Sequence, residues 1–384
     1  MAERLPFHLL VDIFFYARDG NETPEFDHGG KLVRWDSMES SAPYTTVCKA
    51  WTDAAVFSLH RSIAVLGGPS ADLFMRTHRA QPGRAACTRA LVVGLHYEDE
   101  RECETERALL ESLKVVAVIE ACPLIQHLQI RPLHPALRVR ILAAIRALPL
   151  ISLVYLPRYD SPVSPPNREM SLRELVDPKL EGLEVELWGD PSPIVSALPS
   201  FPPLTLRHLR VFSPGADALI FSLVAAASPT LETLDMYVET VFKDPRVAAA
   251  ALMPAARTLR RLKYLTCPSL ADLAASYDAS QPQVFDYILP HFIHLEYLFI
   301  SATEVSPHLF RLLPPMLREL EIRSYNHIPA FHYNDMLIGD LVDPAIEYRL
   351  EELVLHDEAW SQPQVDSLGA ATAARGITFR HTAD

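Results

Sequence analysis

Histidines, cysteines and clustered carboxylates are the residues of this chain with the chemistry to hold a metal or attack a substrate, and their spacing decides whether they do. His291 and His294, in the phrase HFIH, straddle an expected strand start with no nearby thiol or carboxylate to complete a ligand set. The run LHYEDERECETE concentrates acid around Cys103. Acidic neighbours raise a thiol's pKa, opposite to what a nucleophile needs, and carboxylates just before a helix serve its N-terminal charge and solvation instead. The five cysteines, Cys48, Cys87, Cys103, Cys122 and Cys267, never form a C-x-x-C pair, which points to free thiols in a reducing compartment. No phosphate-binding glycine loop, G-x-S-x-G or H-E-x-x-H occurs. The chain is expected not to be an enzyme, and it calls for no cofactor and no metal.

The elements around these residues belong to a globular protein. The chain has 384 residues, 49% of them hydrophobic, which suffices for a large buried core. A net charge of −13 argues against a nucleic-acid partner and against an anionic membrane, since both reward a basic face. No apolar stretch is long enough to cross a bilayer, and MAERLPFHLL lacks the basic start and long apolar run of a secretory signal. An intracellular address, cytoplasmic or nuclear, is expected. With 32 prolines against 13 glycines, the chain punctuates its elements with proline.

The stretch RLPFHLLVDIFFYARDG predicts a helix that starts near Pro6, where the missing N–H costs nothing, and stops near Gly20. Leu9, Leu10, Ile13, Phe14 and Ala17 form one broad apolar stripe on it. The polar, turn-rich segment after it is expected to loop out over about residues 19–42. A second helical region starts near Tyr44 and carries Val47, Cys48 and Trp51, and FSLHRSIAV leads from its end into a first strand. Leu5-Pro6, Leu9-Leu10, Ile13-Phe14 and then Val47-Cys48-Lys49 with Trp51 resemble an F-box, the helical module that docks receptors onto the Skp adaptor of cullin–RING ubiquitin ligases. The resemblance implies that Leu5, Pro6, Leu9, Leu10, Ile13, Phe14, Val47, Cys48 and Trp51 bind that adaptor and, through it, the cullin complex.

Beyond the N-terminal segment one phrase recurs: LIQHLQI, LEGLEVEL, LRHLRVF, LETLDMY, LRRLKYL, LEYLFI, LRELEI and LEELVL. Each approximates L-x-x-L-x-apolar, with central leucines Leu128, Leu183, Leu209, Leu234, Leu262, Leu298, Leu320 and Leu353, and further copies near Leu91 and Leu153. Successive copies lie about 22 to 36 residues apart, the scale of leucine-rich repeats. In a short strand the alternate leucines face one side and the residues between them face the other. TERALLESLKVVAVIEAC, DALIFSLVAAA and PRVAAAALMPAART read as helices between strands, and ARGITFRH as a closing strand. A single unit cannot bury its own apolar edge, so the units must stack.

The expected fold class is therefore α/β: an F-box-like helical module over residues 1–64, then a curved leucine-rich-repeat solenoid over 65–384. Leucine-rich repeats behind an F-box resemble the layout of fungal F-box-like receptors. That layout implies a substrate-recognition subunit of a ubiquitin ligase, with the adaptor at one end and a protein substrate on the repeats. The register turns Arg131, Glu184, Glu186, Arg210, Asp235, Tyr237, Lys263, Tyr297, Phe299, Glu321 and Arg323 outward, with Trp188 and Phe212 at strand ends. Among them Arg210, Phe212, Tyr237, Lys263, Tyr297 and Phe299 combine aromatics with charge, the composition of a protein-binding surface, and are the candidate substrate-binding residues. The alternative is a repeat scaffold that engages no ligase and uses its N-terminal helices as a cap.

Overall fold

The protein is described here by a computed structural model. It describes residues 26–27, 31–32, 60–95, 105–131, 133–155, 175–186, 201–213, 218–238, 245–266, 282–306, 308–323, 334–343, 345–347, 349–356 and 361–382. Contacts divide the chain into two compact units, Met1–Ser161 with Met170–Glu186, and Pro162–Glu169 with Leu187–Asp384. The expected adaptor-binding residues, Leu5, Pro6, Leu9, Leu10, Ile13, Phe14, Val47, Cys48 and Trp51, lie outside the described residues, as do Cys103 and Trp188. Within the segment expected to loop out, β1 (Phe26–Asp27) and β2 (Lys31–Leu32) form a minimal antiparallel pair, Phe26 opposite Leu32.

The first unit carries parallel strands β3 (Ser62–Leu66), β4 (Ala90–Gly94), β5 (His127–Ile130), β6 (Ser152–Tyr155) and β7 (Gly182–Glu186), each paired with the next in sequence. Strand β3 straddles the boundary expected at residue 64. Parallel neighbours need a crossover, and helices supply it: α1 (Gly68–Ala80), α2 (Glu106–Ala121) and α3 (Arg138–Arg146). Helix α2 begins where Thr105 accepts a hydrogen bond from the Ala108 N–H at 3.1 Å, satisfying an otherwise orphaned donor. Its buried face, including Val115, Val116, Val118 and Ile119, lies over β4. Gly67, at φ +93°, makes the turn from β3 into α1, and Pro69 fits the first turn of that helix. Gly94 has a different constraint. A Cβ there would lie 2.4 Å from the Arg131 Cβ, so the strand ends approach only without a side chain.

The second unit repeats the pattern with β8 (His208–Ser213), β9 (Thr233–Val238), β10 (Arg261–Thr266), β11 (Tyr297–Ser301), β12 (Glu319–Arg323), β13 (Glu352–His356) and β14 (Thr378–Thr382), all parallel and in sequence order. Between them lie α4 (Ala218–Ala227), α5 (Pro245–Leu252), α6 (Val284–Ile288), α7 (Leu309–Leu312), α8 (Asn334–Val342) and α9 (Gln362–Ala374). Helix α9 opens with a capping box, Ser361 and Gln364 each satisfying the other's backbone N–H.

The central leucines of the recurring phrase stand opposite one another. Leu91, Leu128, Leu153 and Leu183 pair across β4 to β7, and Leu209, Leu234, Leu262, Leu298, Leu320 and Leu353 across β8 to β13. None is more than 3% exposed. A shift of one residue would turn any of these strands inside out, so the leucines fix the register.

Charge reinforces that register in the second unit. The residue after the first leucine of each phrase alternates in sign: Arg207, Glu232, Arg260, Glu296, Arg318, Glu351. Their side chains pair as Arg207–Glu232 (2.6 Å), Arg260–Glu296 (3.5 Å) and Arg318–Glu351 (3.8 Å). Their carbonyls do the same work along the backbone. Glu232 O, for example, accepts from the N–H of Arg260 at 2.8 Å and of Arg261 at 3.0 Å. Each exposed pair contributes little alone, up to about 1 kcal/mol, but the series disfavours a slipped repeat.

Candidate protein-binding face

Three rows of residues cover the sheet face opposite the leucines in the second unit. The middle row runs Arg210, Asp235, Lys263, Phe299, Glu321, Val354, Arg380. One row to its side are His208, Thr233, Arg261, Tyr297 and Glu319; on the other, Phe212 pairs with Tyr237 and Arg323 with His356. The strands bring all six expected substrate-binding residues onto this one face.

Rings and cations interlock there. The Phe212 and Tyr237 rings stack with centroids 4.2 Å apart and planes 5° from parallel. The Arg210 guanidinium lies 5.0 Å from the Phe212 centroid and 5.5 Å from that of Tyr237, and 3.9 Å from the Asp235 carboxylate. Lys263 Nζ sits 5.4 Å from the Tyr237 ring on one strand and 4.6 Å from the Phe299 ring on the other. Arg261 lies 4.1 Å over Tyr297. Each such contact is worth about 0.5–1 kcal/mol when exposed, and more when water is excluded.

The far side of the patch is held by hydrogen bonds. Tyr297 donates its hydroxyl to Glu321 Oε1 at 2.9 Å, while Glu321 Oε2 lies 2.9 Å from His356 Nε2. His356 Nδ1 is 2.8 Å from the Thr382 hydroxyl, and its ring stacks on Phe299 at 5.2 Å. Burial, then the charge of Glu321 and the bond it accepts, pushes the Tyr297 hydroxyl well above the usual phenol range. That phenol remains a donor throughout the physiological range.

Five of the six expected residues are partly exposed, but Phe299 corrects the expectation of exposure: it is only 6% accessible. Lys263 lies over its ring and His356 stacks beside it, so Phe299 forms the floor of the patch rather than its surface. Arg261 and His356 join the face without having been singled out. The strand alternation that marks Tyr297 marks Arg261 as well, its partner across the ladder. His356 ends LEELVLH, two positions beyond an outward valine.

The corresponding rows of the first unit are chemically plain. They hold Ser62, Ala90, His127, Ser152 and Gly182, and beside them Ala64, Val92, Gln129, Val154 and Glu184. His127 is bonded to the Ser152 hydroxyl at 2.8 Å, and burial lowers its pKa.

A second polar cluster is enclosed at the ends of β10 and β11. The Ser301 hydroxyl accepts from the Thr266 N–H at 2.8 Å and donates to the Thr266 carbonyl at 3.1 Å, and the hydroxyls of Thr266 and Thr303 lie 3.1 Å apart. Glu304 beside them is 1% exposed, and burial raises its carboxyl to about 7. Among the described residues, Glu304 Oε1 and the buried Tyr264 hydroxyl have no hydrogen-bond partner. An enclosed acid of this kind acts on stability, because no solute reaches it.

His291 and His294 are exposed, and among the described residues no group of three His, Cys, Asp or Glu side chains is placed to hold a metal ion. Cys122 is buried and its thiol is raised to about 11 by that burial. Among the described residues no helix is long and apolar enough to cross a membrane.

No family model matches the chain, and no characterised protein matches it by sequence. Among solved structures it is similar to the yeast complex of Rad7 and Elc1, with 12% identity and a TM-score of 0.38 over 97% of this chain and 81% of that one.

Proposed function

We propose that this protein is a recruitment subunit: the outward sheet face of the second unit holds a protein partner, and the N-terminal segment docks a Skp-type adaptor that joins it to a cullin–RING ubiquitin ligase. The observation that carries the partner half is the interlocked patch of Arg210, Phe212, Tyr237, Arg261, Lys263 and Tyr297 on one face of a parallel sheet. Tyr and Arg anchors held in place by neighbours lose little freedom on binding, which is how protein-binding hot spots are built.

The adaptor half rests on the resemblance of Leu5-Pro6, Leu9-Leu10, Ile13-Phe14 and Val47-Cys48-Lys49 with Trp51 to an F-box. In this reading the strand–helix units are a leucine-rich-repeat solenoid, and the protein does no chemistry of its own. It raises the local concentration of a partner beside a ubiquitin-transfer module carried by other subunits.

The test is a pull-down of the full chain with purified Skp adaptor, beside a Val47→Asp/Trp51→Ala variant whose folding is checked by thermal melting. Binding by the wild type and none by the variant is expected. If the folded wild type does not bind, the ligase assignment fails and the chain is a protein-binding scaffold.

A further inference from the structure

The geometry points to an acidic peptide segment as what the second unit's sheet face recognises, with Arg261 and Lys263 of β10 as the cations that hold its carboxylates. The inference rests on the receptor reading above and names the chemistry of the partner.

Arg261 and Lys263 are two positions apart on one strand, so both side chains leave the same face. Both are held by rings: Arg261 over Tyr297, and Lys263 between Phe299 and Tyr237. Among the described residues neither has a carboxylate within ion-pair distance, in contrast to their neighbours. Arg210 faces Asp235, Arg380 faces Glu352, and the arginines along the strand starts each face a glutamate. Of the acids on this face near β10, Asp235 is engaged with Arg210 and Glu321 with Tyr297 and His356, while Glu319 stands in the row of Arg261 on the far side of Tyr297.

A ring face orients a cation without neutralising it. The patch therefore presents two fixed positive charges on a chain whose net charge is −13. A negatively charged segment is repelled by most of such a molecule and drawn to this place. Carboxylates fit better than phosphates, because Asp235 stands opposite Lys263 and Glu321 one strand beyond Phe299, and these negative charges penalise a dianion more than a monoanion. The Tyr237 ring beside Lys263, with Phe212 stacked on it, is partly exposed and suits the aliphatic carbons of the same segment.

The experiment is selection of random displayed peptides on the immobilised full chain at low salt. Asp and Glu are expected to be enriched several-fold in the bound pool, and the enrichment to vanish with Arg261→Gln/Lys263→Gln. A wild-type pool without acidic enrichment overturns the inference, and so does equal enrichment on the folded double variant. A peptide from the pool, followed by fluorescence anisotropy on the wild type, should weaken about tenfold between low and high salt. Affinity that ignores salt overturns the inference even if the double variant does not fold. Phosphoserine at an acidic position should weaken binding or leave it unchanged; a tenfold gain would replace carboxylate by phosphate and overturn the assignment. Adaptor binding without acidic enrichment removes this inference alone, whereas acidic enrichment without adaptor binding removes the ligase reading alone.

Discussion

Replacing Glu304 with glutamine should make the protein more stable at alkaline pH and change little in acid. The carboxyl is raised from 4.5 to about 7 because it is fully enclosed, with the Thr266 hydroxyl offering the charged form limited compensation. Between those two values the folded state keeps a proton that the unfolded chain releases. Stability then falls as pH rises, by about 1.4 kcal/mol per unit where the difference is one full proton. Over roughly 2.5 units the loss is about 3 kcal/mol. The contribution of the neutral acid is thus complete below the unfolded pKa, and it is gone once the pH has risen through the folded value. Glutamine keeps the shape and cannot ionise, so Glu304→Gln should match the wild type near pH 4 and exceed it by up to about 3 kcal/mol near pH 8. Urea unfolding of both proteins at the two pH values, with hydrogen exchange of the β10 and β11 amides to localise the effect, measures this. Equal pH slopes for the two proteins, or a glutamine variant weaker at both values, would refute the reasoning.

Leu262→Ala, in the fully buried leucine row, should cost about 2–5 kcal/mol in urea melts. Val139→Ala, at a residue 82% exposed, should stay within about 0.5 kcal/mol. Gly94→Ala would push a methyl to 2.4 Å from the Arg131 Cβ and should lower stability by about 1–3 kcal/mol, read as a lower unfolding midpoint. Glu296→Arg sets like charges against Arg260 and should cost about 0.5–1 kcal/mol at low salt, shrinking when unfolding is repeated at high salt.

Much of the strand ladder could be read from leucines because the signal is local and repeated. L-x-x-L-x-L fixes which residue faces in, and the structure sets those leucines opposite one another within each unit. Helices over Glu106–Ala121, Ala218–Ala227 and Pro245–Leu252 stand where the apolar stretches between the phrases place them. The outward rows follow from the same alternation, which is why Arg210, Tyr237, Lys263 and Tyr297 meet on one face. Properties that depend on distant neighbours were not legible. Phe299 is buried by Lys263 and His356, which arrive from other strands. Glu304 follows LFISAT and reads as a polar loop residue, yet the short 3₁₀ turn Ala302–Glu304 is buried throughout. The pairing of Phe26 with Leu32 had no periodicity to announce it.

Hydrogen exchange of the full chain, with and without saturating purified Skp adaptor, tests the recruitment account most directly. The account predicts new protection over residues 5–14 and 44–51 and none on β9, β10 and β11, leaving the sheet face open for a partner. An unchanged exchange pattern, or protection centred on those strands, would contradict it.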